Sequence, residues 1–276
     1  MKQYLEALKH CYEIGLDVDS RAGKVKKAFG YQMRFDLQKG FPAMTTKKLA
    51  WNSVVSELLW FLEGSDDERR LAEILYEDKR ENLIDKKTIW TQNANADYWK
   101  EKSKFQGDVG RIYGVQWRNF NGVDQITNLI NGIKKDPNGR RHILSAWNPS
   151  DLHLMSLPPC HAFSQFYVSN NKLSCQLYQR SCDMFLGVPF NIASYSLLIH
   201  LIANECSLDV GEFIHTLGDY HIYYEHLDAI NIQMERIPGE LPTLVFDQKS
   251  IFDYSLKDFT LENYNPQTTI KASMNV

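Results

Sequence analysis

From Ile192 to Cys206 apolar side chains fall on nearly every face of a helical projection. A helix that is apolar all round cannot sit at a water boundary, so it belongs at the centre of a core or in a membrane. A membrane span needs roughly 20 apolar residues, and this run already contains His200, Asn204 and Glu205. The remainder of the chain therefore has to wrap this helix. At 276 residues it is long enough to do so with one substantial core, and a single domain over residues 1–276 is the simplest expectation.

The wrapping elements show in the pattern. Trp51, Val54, Val55, Leu58, Leu59 and Leu62 recur at helical spacing, which predicts an amphipathic helix to about Gly64 with Glu57 beside its stripe. Ser65 to Lys87 reads as a charge-dense, solvated helical excursion, and Asn93 to Gly110 as a polar loop region. A further helix is expected over Gln125 to Lys135, because Asp136-Pro137-Asn138-Gly139 cannot continue it. Arg140 and Arg141 follow at once. Cys160 to Val168 and Leu173 to Gln179 are strand-rich and flank Asn170-Asn171, a pair that tolerates positive φ, so they read as a hairpin. Helices mixed with hairpin strands, without a regular βαβ series, indicate the α+β class.

Composition excludes several functions. The formal charge of −3 does not suit a surface devoted to nucleic acid, although a few arginines can still hold a small anion. The start, Met1-Lys2-Gln3-Tyr4-Leu5, lacks the apolar run of a secretion signal, so a cytoplasmic protein is expected. Five cysteines, Cys11, Cys160, Cys175, Cys182 and Cys206, fit a reducing compartment and follow no metal-binding spacing.

Cys160 stands apart from the other four. It follows Pro158-Pro159 and lies at the mouth of the expected hairpin, whereas a cysteine inside a core behaves as a small hydrophobe. A two-residue turn at Asn170-Asn171 sets Cys160 opposite Ser181 and next to Arg180. A fixed cation there favours the thiolate, which is the nucleophilic form. Strict alternation sends Cys160 and Arg180 to opposite faces, so a shared ligand requires a bulge or a different turn length. His161 is a poor partner base because successive strand side chains diverge, and its expected role is structural. Arg21, Arg140, Arg141 and Arg180, with Ser181, are candidate donors to a phosphomonoester through bidentate contacts.

The run Leu157-Pro158-Pro159-Cys160-His161-Ala162-Phe163 continues through Gln176-Leu177-Tyr178-Gln179-Arg180-Ser181-Cys182-Asp183 to Gly187-Val188-Pro189-Phe190-Asn191-Ile192-Ala193-Ser194-Tyr195. It closely resembles the signature of the thymidylate synthase family. The resemblance extends to Phe41-Pro42, Glu57-Leu58-Leu59-Trp60-Phe61-Leu62, Tyr113-Gly114, Gly218-Asp219-Tyr220-His221 and Ile270-Lys271-Ala272, so it spans the chain.

That resemblance implies reductive methylation of dUMP to dTMP, with 5,10-methylenetetrahydrofolate as carbon and hydride donor and no metal. Cys160 is implied to add to C6 of the uracil ring, because C5 is a weak nucleophile until C6 carries a covalent partner. Glu57 is implied to organise water and protons near O4, and Tyr113 to help remove the C5 proton. Asn191 is implied to hold the pyrimidine edge, where hydroxymethylases acting on dCMP carry aspartate. The implied dUMP contacts are Arg21, Arg140, Arg141, Arg180, Ser181, Cys182, Asp183, Asn191, His221 and Tyr223. The implied folate contacts are Asp183, Ile89, Trp90, Leu186, Phe190 and Asn275. A large mixed sheet with helices on one face is implied to pack back to back with its twin in a homodimer, each site borrowing Arg140 and Arg141.

Departures from the family pattern are Ser20 and Ala22 around Arg21, Ala50 where several relatives have histidine, Asn93 where many have tryptophan, and the tail Ala272-Ser273-Met274-Asn275-Val276. Two other readings remain at this level: a dUMP or dCMP hydroxymethylase, and a catalytically weakened homologue that binds RNA.

Overall fold

The computed structural model describes residues 1–20 and 23–273. In chain order its elements are α1 (Lys2–Ile14), β1 (Leu16–Ser20), β2 (Gly23–Asp36), α2 (Trp51–Glu63), α3 (Glu68–Tyr76), α4 (Thr91–Ala94) and α5 (Asp97–Lys100). There follow α6 (Tyr113–Arg118), α7 (Gln125–Lys135), β3 (Ile143–Ser145), β4 (His161–Ser169), β5 (Lys172–Asp183), α8 (Gly187–Glu205), β6 (Asp209–Tyr223), α9 (Leu227–Met234), β7 (Thr243–Val245) and β8 (Thr260–Glu262). One sheet has the order β1-β2-β6-β5-β4-β3, and β7 and β8 form a small second one. In the large sheet only β5 and β6 run parallel, which makes it mixed.

The apolar helix explains that exception. Parallel neighbours need a crossover, and α8 is the crossover from β5 to β6. It packs on both of those strands and against α2, so none of its faces is left to water. Val188, Ile192, Leu197, Leu198, Ile199, Leu201 and Ile202 are all fully buried. Its polar groups are satisfied locally, since Ser196 Oγ donates to the Ile192 carbonyl at 2.7 Å and His200 Nδ1 lies 2.8 Å from the Ser196 carbonyl. The helix starts at Gly187, five residues before the apolar run, so Asn191 lies on the helix and not in the loop ahead of it.

Helix α2 ends as expected, with Gly64 at φ 73° capping it in the left-handed conformation. Its residues Val54 to Leu62 are all buried, Glu57 among them. Helix α6 crosses α2 at Gly114, where a β-carbon would come within 2.7 Å of the Phe61 main chain. Only glycine allows that approach, and it sets Tyr113 next to the α2 face that carries Glu57.

The hairpin turns through Asn170 and Asn171 at φ 50° and 61°, as the asparagine pair predicts. Ser169 faces Lys172 and Phe163 faces Tyr178, but between Phe163 and His161 the register shifts, so that His161 faces Gln179. This irregularity is the bulge that the alternation argument required. The expected loop from Asn93 to Gly110 is corrected: it contains α5 and the last residues of α4, and buries Trp99 and Val109. Trp99 anchors it by donating its indole N–H to the Asp108 carbonyl at 2.7 Å, so the polar composition described only its outer surface. The excursion from Ser65 to Lys87 is helical only over α3 and a short 3-10 turn at Arg80–Asn82.

Candidate active site

The bulge and the start of α8 assemble the site. Cys160 precedes β4, and its carbonyl accepts from the Arg180 N–H on β5 at 2.8 Å. The Arg180 guanidinium spends Nε and Nη2 on the carbonyls of Pro159 at 2.8 Å and Pro158 at 2.7 Å. Those bonds hold Nη2 at 3.9 Å from Cys160 Sγ. The expected partnership is therefore present, but its net effect differs. Burial pushes the Cys160 thiol above its ordinary range, and the opposing pull of Arg180, Tyr113 and Ser181 is smaller. Without ligand the thiol form is favoured, and the cation limits a penalty it does not reverse.

Tyr113 links Cys160, through Trp90, to Glu57. Its hydroxyl oxygen accepts the Cys160 N–H at 2.7 Å, and its ring stacks on His161 with centroids 3.9 Å apart. His161 also meets the Tyr195 hydroxyl at 3.0 Å, and burial lowers its pKa to about 3. A neutral, stacked imidazole is a support for Tyr113. Trp90 lies edge-on to Tyr113 and donates its indole N–H to Glu57 Oε1 at 2.7 Å. Burial raises the Glu57 carboxyl to about 7 against that bond, so near neutral pH it exists in both protonation states. A group in that condition suits proton transfer in either direction.

At the α8 end, Asp183 Oδ1 accepts the N–H groups of Phe185 at 2.9 Å and Leu186 at 3.2 Å. Leu186 and Phe190 are half-buried, Trp90 is buried and Ile89 is 40% exposed, so the apolar wall is open on one side. His221 Nδ1 lies 3.1 Å from Asp219 Oδ1, and Asp219 Oδ2 accepts from Lys27 Nζ at 2.9 Å. Tyr223 meets the His221 ring at 5.3 Å.

A family model described as thymidylate synthase matches residues 2–276. The chain belongs to the thymidylate synthase family. It is 47% identical to the thymidylate synthases of Listeria monocytogenes serovar 1/2a and Listeria innocua serovar 6a, and 46% identical to that of L. monocytogenes serotype 4a. Each alignment covers 100% of both chains. A thymidylate synthase is a methyltransferase acting on dUMP, with methylenetetrahydrofolate as co-substrate.

Against the contacts expected of a thymidylate synthase, three positions need comment. Cys182 is fully buried and turns its thiol to the Gln179 carbonyl at 3.3 Å, so its side chain faces the core and not a ligand. Arg140 and Arg141 are exposed and line a groove of about 750 Å³ with Lys135, Asn138 and His142. No other expected site residue lines that groove. Arg21, Ala22 and Asn275 lie outside the described residues. Among the described residues no group of three or more His, Cys, Asp or Glu is placed to hold a metal, and no helix is long and apolar enough to cross a membrane.

Four further residues near the site were given no role by the sequence reading. Lys47 is buried under Asp183, with its ammonium over the Phe185 ring at 3.4 Å, and burial brings its pKa down to about 7. Gln179 and His215 form a buried pair beside Asn191. Asn93 is buried with an unpartnered Nδ2. Each is an ordinary residue type whose meaning comes from its neighbours.

Proposed function

We propose that this site performs dUMP methylation through a covalent bond between Cys160 Sγ and C6 of the pyrimidine. The observation that carries this reading is the placement of one soft nucleophile against a fixed guanidinium, with the hydroxyls of Tyr113 and Ser181 beside it. As Sγ adds to C6, the thiol proton leaves and the C5–C6 π pair moves towards O4. The nucleotide phosphate binds beside Arg180. Arg180 presents its Nη1 edge, Ser181 its hydroxyl, and Arg21 completes the cradle with Arg140 and Arg141 of a second subunit. His221 and Tyr223 take the deoxyribose hydroxyl, and Asn191 donates to O4 while accepting from N3–H.

The folate supplies the one-carbon unit and the hydride. Asp183 has one carboxylate oxygen committed to main-chain N–H groups, which leaves the other for the N–H pattern of a pterin. Trp90, Leu186, Phe190 and Ile89 give the ring apolar contact, and Asn275 closes over it. Glu57 exchanges protons near O4, and Tyr113 assists removal of the C5 proton through water.

The second subunit is a copy of this chain. Phe163, Tyr167 and Tyr178 are 40%, 62% and 40% exposed and alternate with buried residues on β4 and β5, so they share the open face of the sheet. Apolar rings in such number on one flat face favour sheet-on-sheet packing in a two-fold dimer. The protein is expected to work in the cytoplasm. The decisive experiment is to incubate it with dUMP and methylenetetrahydrofolate and follow absorbance. Dihydrofolate formed in equal amount to dTMP supports the reading, whereas tetrahydrofolate with a hydroxymethyl product identifies a hydroxymethylase.

A further inference from the structure

Beneath Asn191 lies a chain of hydrogen bonds whose polarity is fixed from both ends. Gln179 donates Nε2 to the Ser181 carbonyl at 3.0 Å and to Asn191 Oδ1 at 3.0 Å, and its Oε1 lies 2.8 Å from His215 Nε2. A main-chain carbonyl can only accept, so the Gln179 atom facing Ser181 has to be the NH2 group. Its oxygen then faces His215, and His215 has to carry its proton on Nε2. The second hydrogen of the same NH2 group meets Asn191, so the Asn191 atom there is the oxygen, and the Asn191 NH2 is the group left to point elsewhere.

His215 and Gln179 are 0% and 2% exposed, so bulk solvent does not reach these bonds. His215 Nδ1 is buried without a partner. Burial also lowers the His215 pKa to about 3, so the ring stays neutral and has one proton to place. Moving that proton to Nδ1 would leave a buried N–H with no acceptor and set the Nε2 lone pair against Gln179 Oε1, so both ring nitrogens would be mispaired where only one lacks a partner now.

We propose that His215 is a positioning residue for pyrimidine discrimination: by donating to Gln179 it holds the Asn191 amide in the orientation that uracil needs and cytosine does not. Uracil presents an acceptor at O4 and a donor at N3, whereas cytosine presents a donor at N4 and an acceptor at N3. Asn191 can serve cytosine only by turning its amide over, which puts its NH2 against the NH2 of Gln179. Gln179 can follow only by setting its own oxygen against the Ser181 carbonyl and forcing the His215 proton onto Nδ1. The inference rests on the reading of Asn191 as the residue that holds the base.

The test compares kcat/KM for dUMP and dCMP, and the affinities of both by calorimetry, in the parent protein and in His215→Phe and His215→Gln. The parent must first turn over dUMP; its failure to do so rejects the function and not this relay. His215→Phe keeps an aromatic ring but removes the donor, and the dUMP-to-dCMP preference should fall by about tenfold or more. His215→Gln restores a donor and should recover most of that preference. A merely structural histidine would change stability or overall turnover and leave the ratio alone, so an unchanged ratio in His215→Phe overturns the proposal. Nitrogen-15 NMR of the unaltered protein gives an independent decision if that variant does not fold: a proton on His215 Nε2 at neutral pH is required, and one on Nδ1 rejects the relay.

Discussion

Cys160 and Glu57 pose the same physical problem, an ionisable group in a dry place, and the two differ in what surrounds them. Cys160 has Arg180 at 3.9 Å and donors from Tyr113 and Ser181, while Glu57 has one indole N–H. Cys160→Ala should fold and bind dUMP, since phosphate and base contacts remain, but turnover should drop by about 10³-fold or more because the covalent step is gone. Calorimetry with dUMP and the dihydrofolate assay check the two halves separately, and retained turnover rejects the nucleophile. For Glu57 the sign follows from its pKa of about 7, raised by burial above the ordinary 4.5. Between those values the folded chain keeps a proton that the unfolded chain has lost, so stability decreases as pH rises through that window. Glu57→Gln, which keeps an acceptor for Trp90, should match the parent at pH 4 and exceed its stability by up to about 3 kcal/mol at pH 8. Urea midpoints at the two pH values read this out, and activity should fall by about 10²-fold because the proton carrier is lost.

At the scale of elements, the hairpin was legible because its turn chemistry is local. Asn170 and Asn171 both sit at positive φ, and Asn171→Val should cost about 1–2 kcal/mol through left-handed strain, seen as a lower thermal midpoint. An unchanged midpoint would mean that the turn can rearrange at no cost. Helix α7 ends at Lys135 and α2 at Glu63, where capping signals and breakers placed them. The shift between His161 and Phe163 was required by an argument about the two faces of β4, not visible in any residue there. The segment after Asn93 was misread for the opposite reason. Its polar residues describe the outside of two single-turn helices, and the buried Trp99 that fastens them is one residue among many polar ones.

At the scale of the whole molecule, the phosphate role proposed for Arg140 and Arg141 depends on a second chain, since the groove they line includes none of the other expected site residues. In the proposed two-fold dimer, two inactive variants should restore each other. In a mixed dimer of Cys160→Ala with Arg141→Ala, one site carries both lesions, while the other pairs an intact Cys160 with the intact Arg141 of its neighbour. After unfolding and refolding an equal mixture, random pairing should return about a quarter of the parent activity, with none from either variant refolded alone. No recovery despite demonstrated mixed dimers would remove Arg141 from a shared site. The sequence by itself determined the family and the central helix, and singled out Cys160 as the candidate nucleophile, because each is written in residues that are neighbours along the chain or repeat at a fixed period. Only the tertiary structure decided that burial outweighs Arg180 at the Cys160 thiol, that Cys182 faces the core, and that His215 and Gln179 stand behind Asn191. Those outcomes depend on dielectric surroundings and on donors brought together from β5, β6 and α8, and no local pattern in a sequence encodes a distance between separate elements.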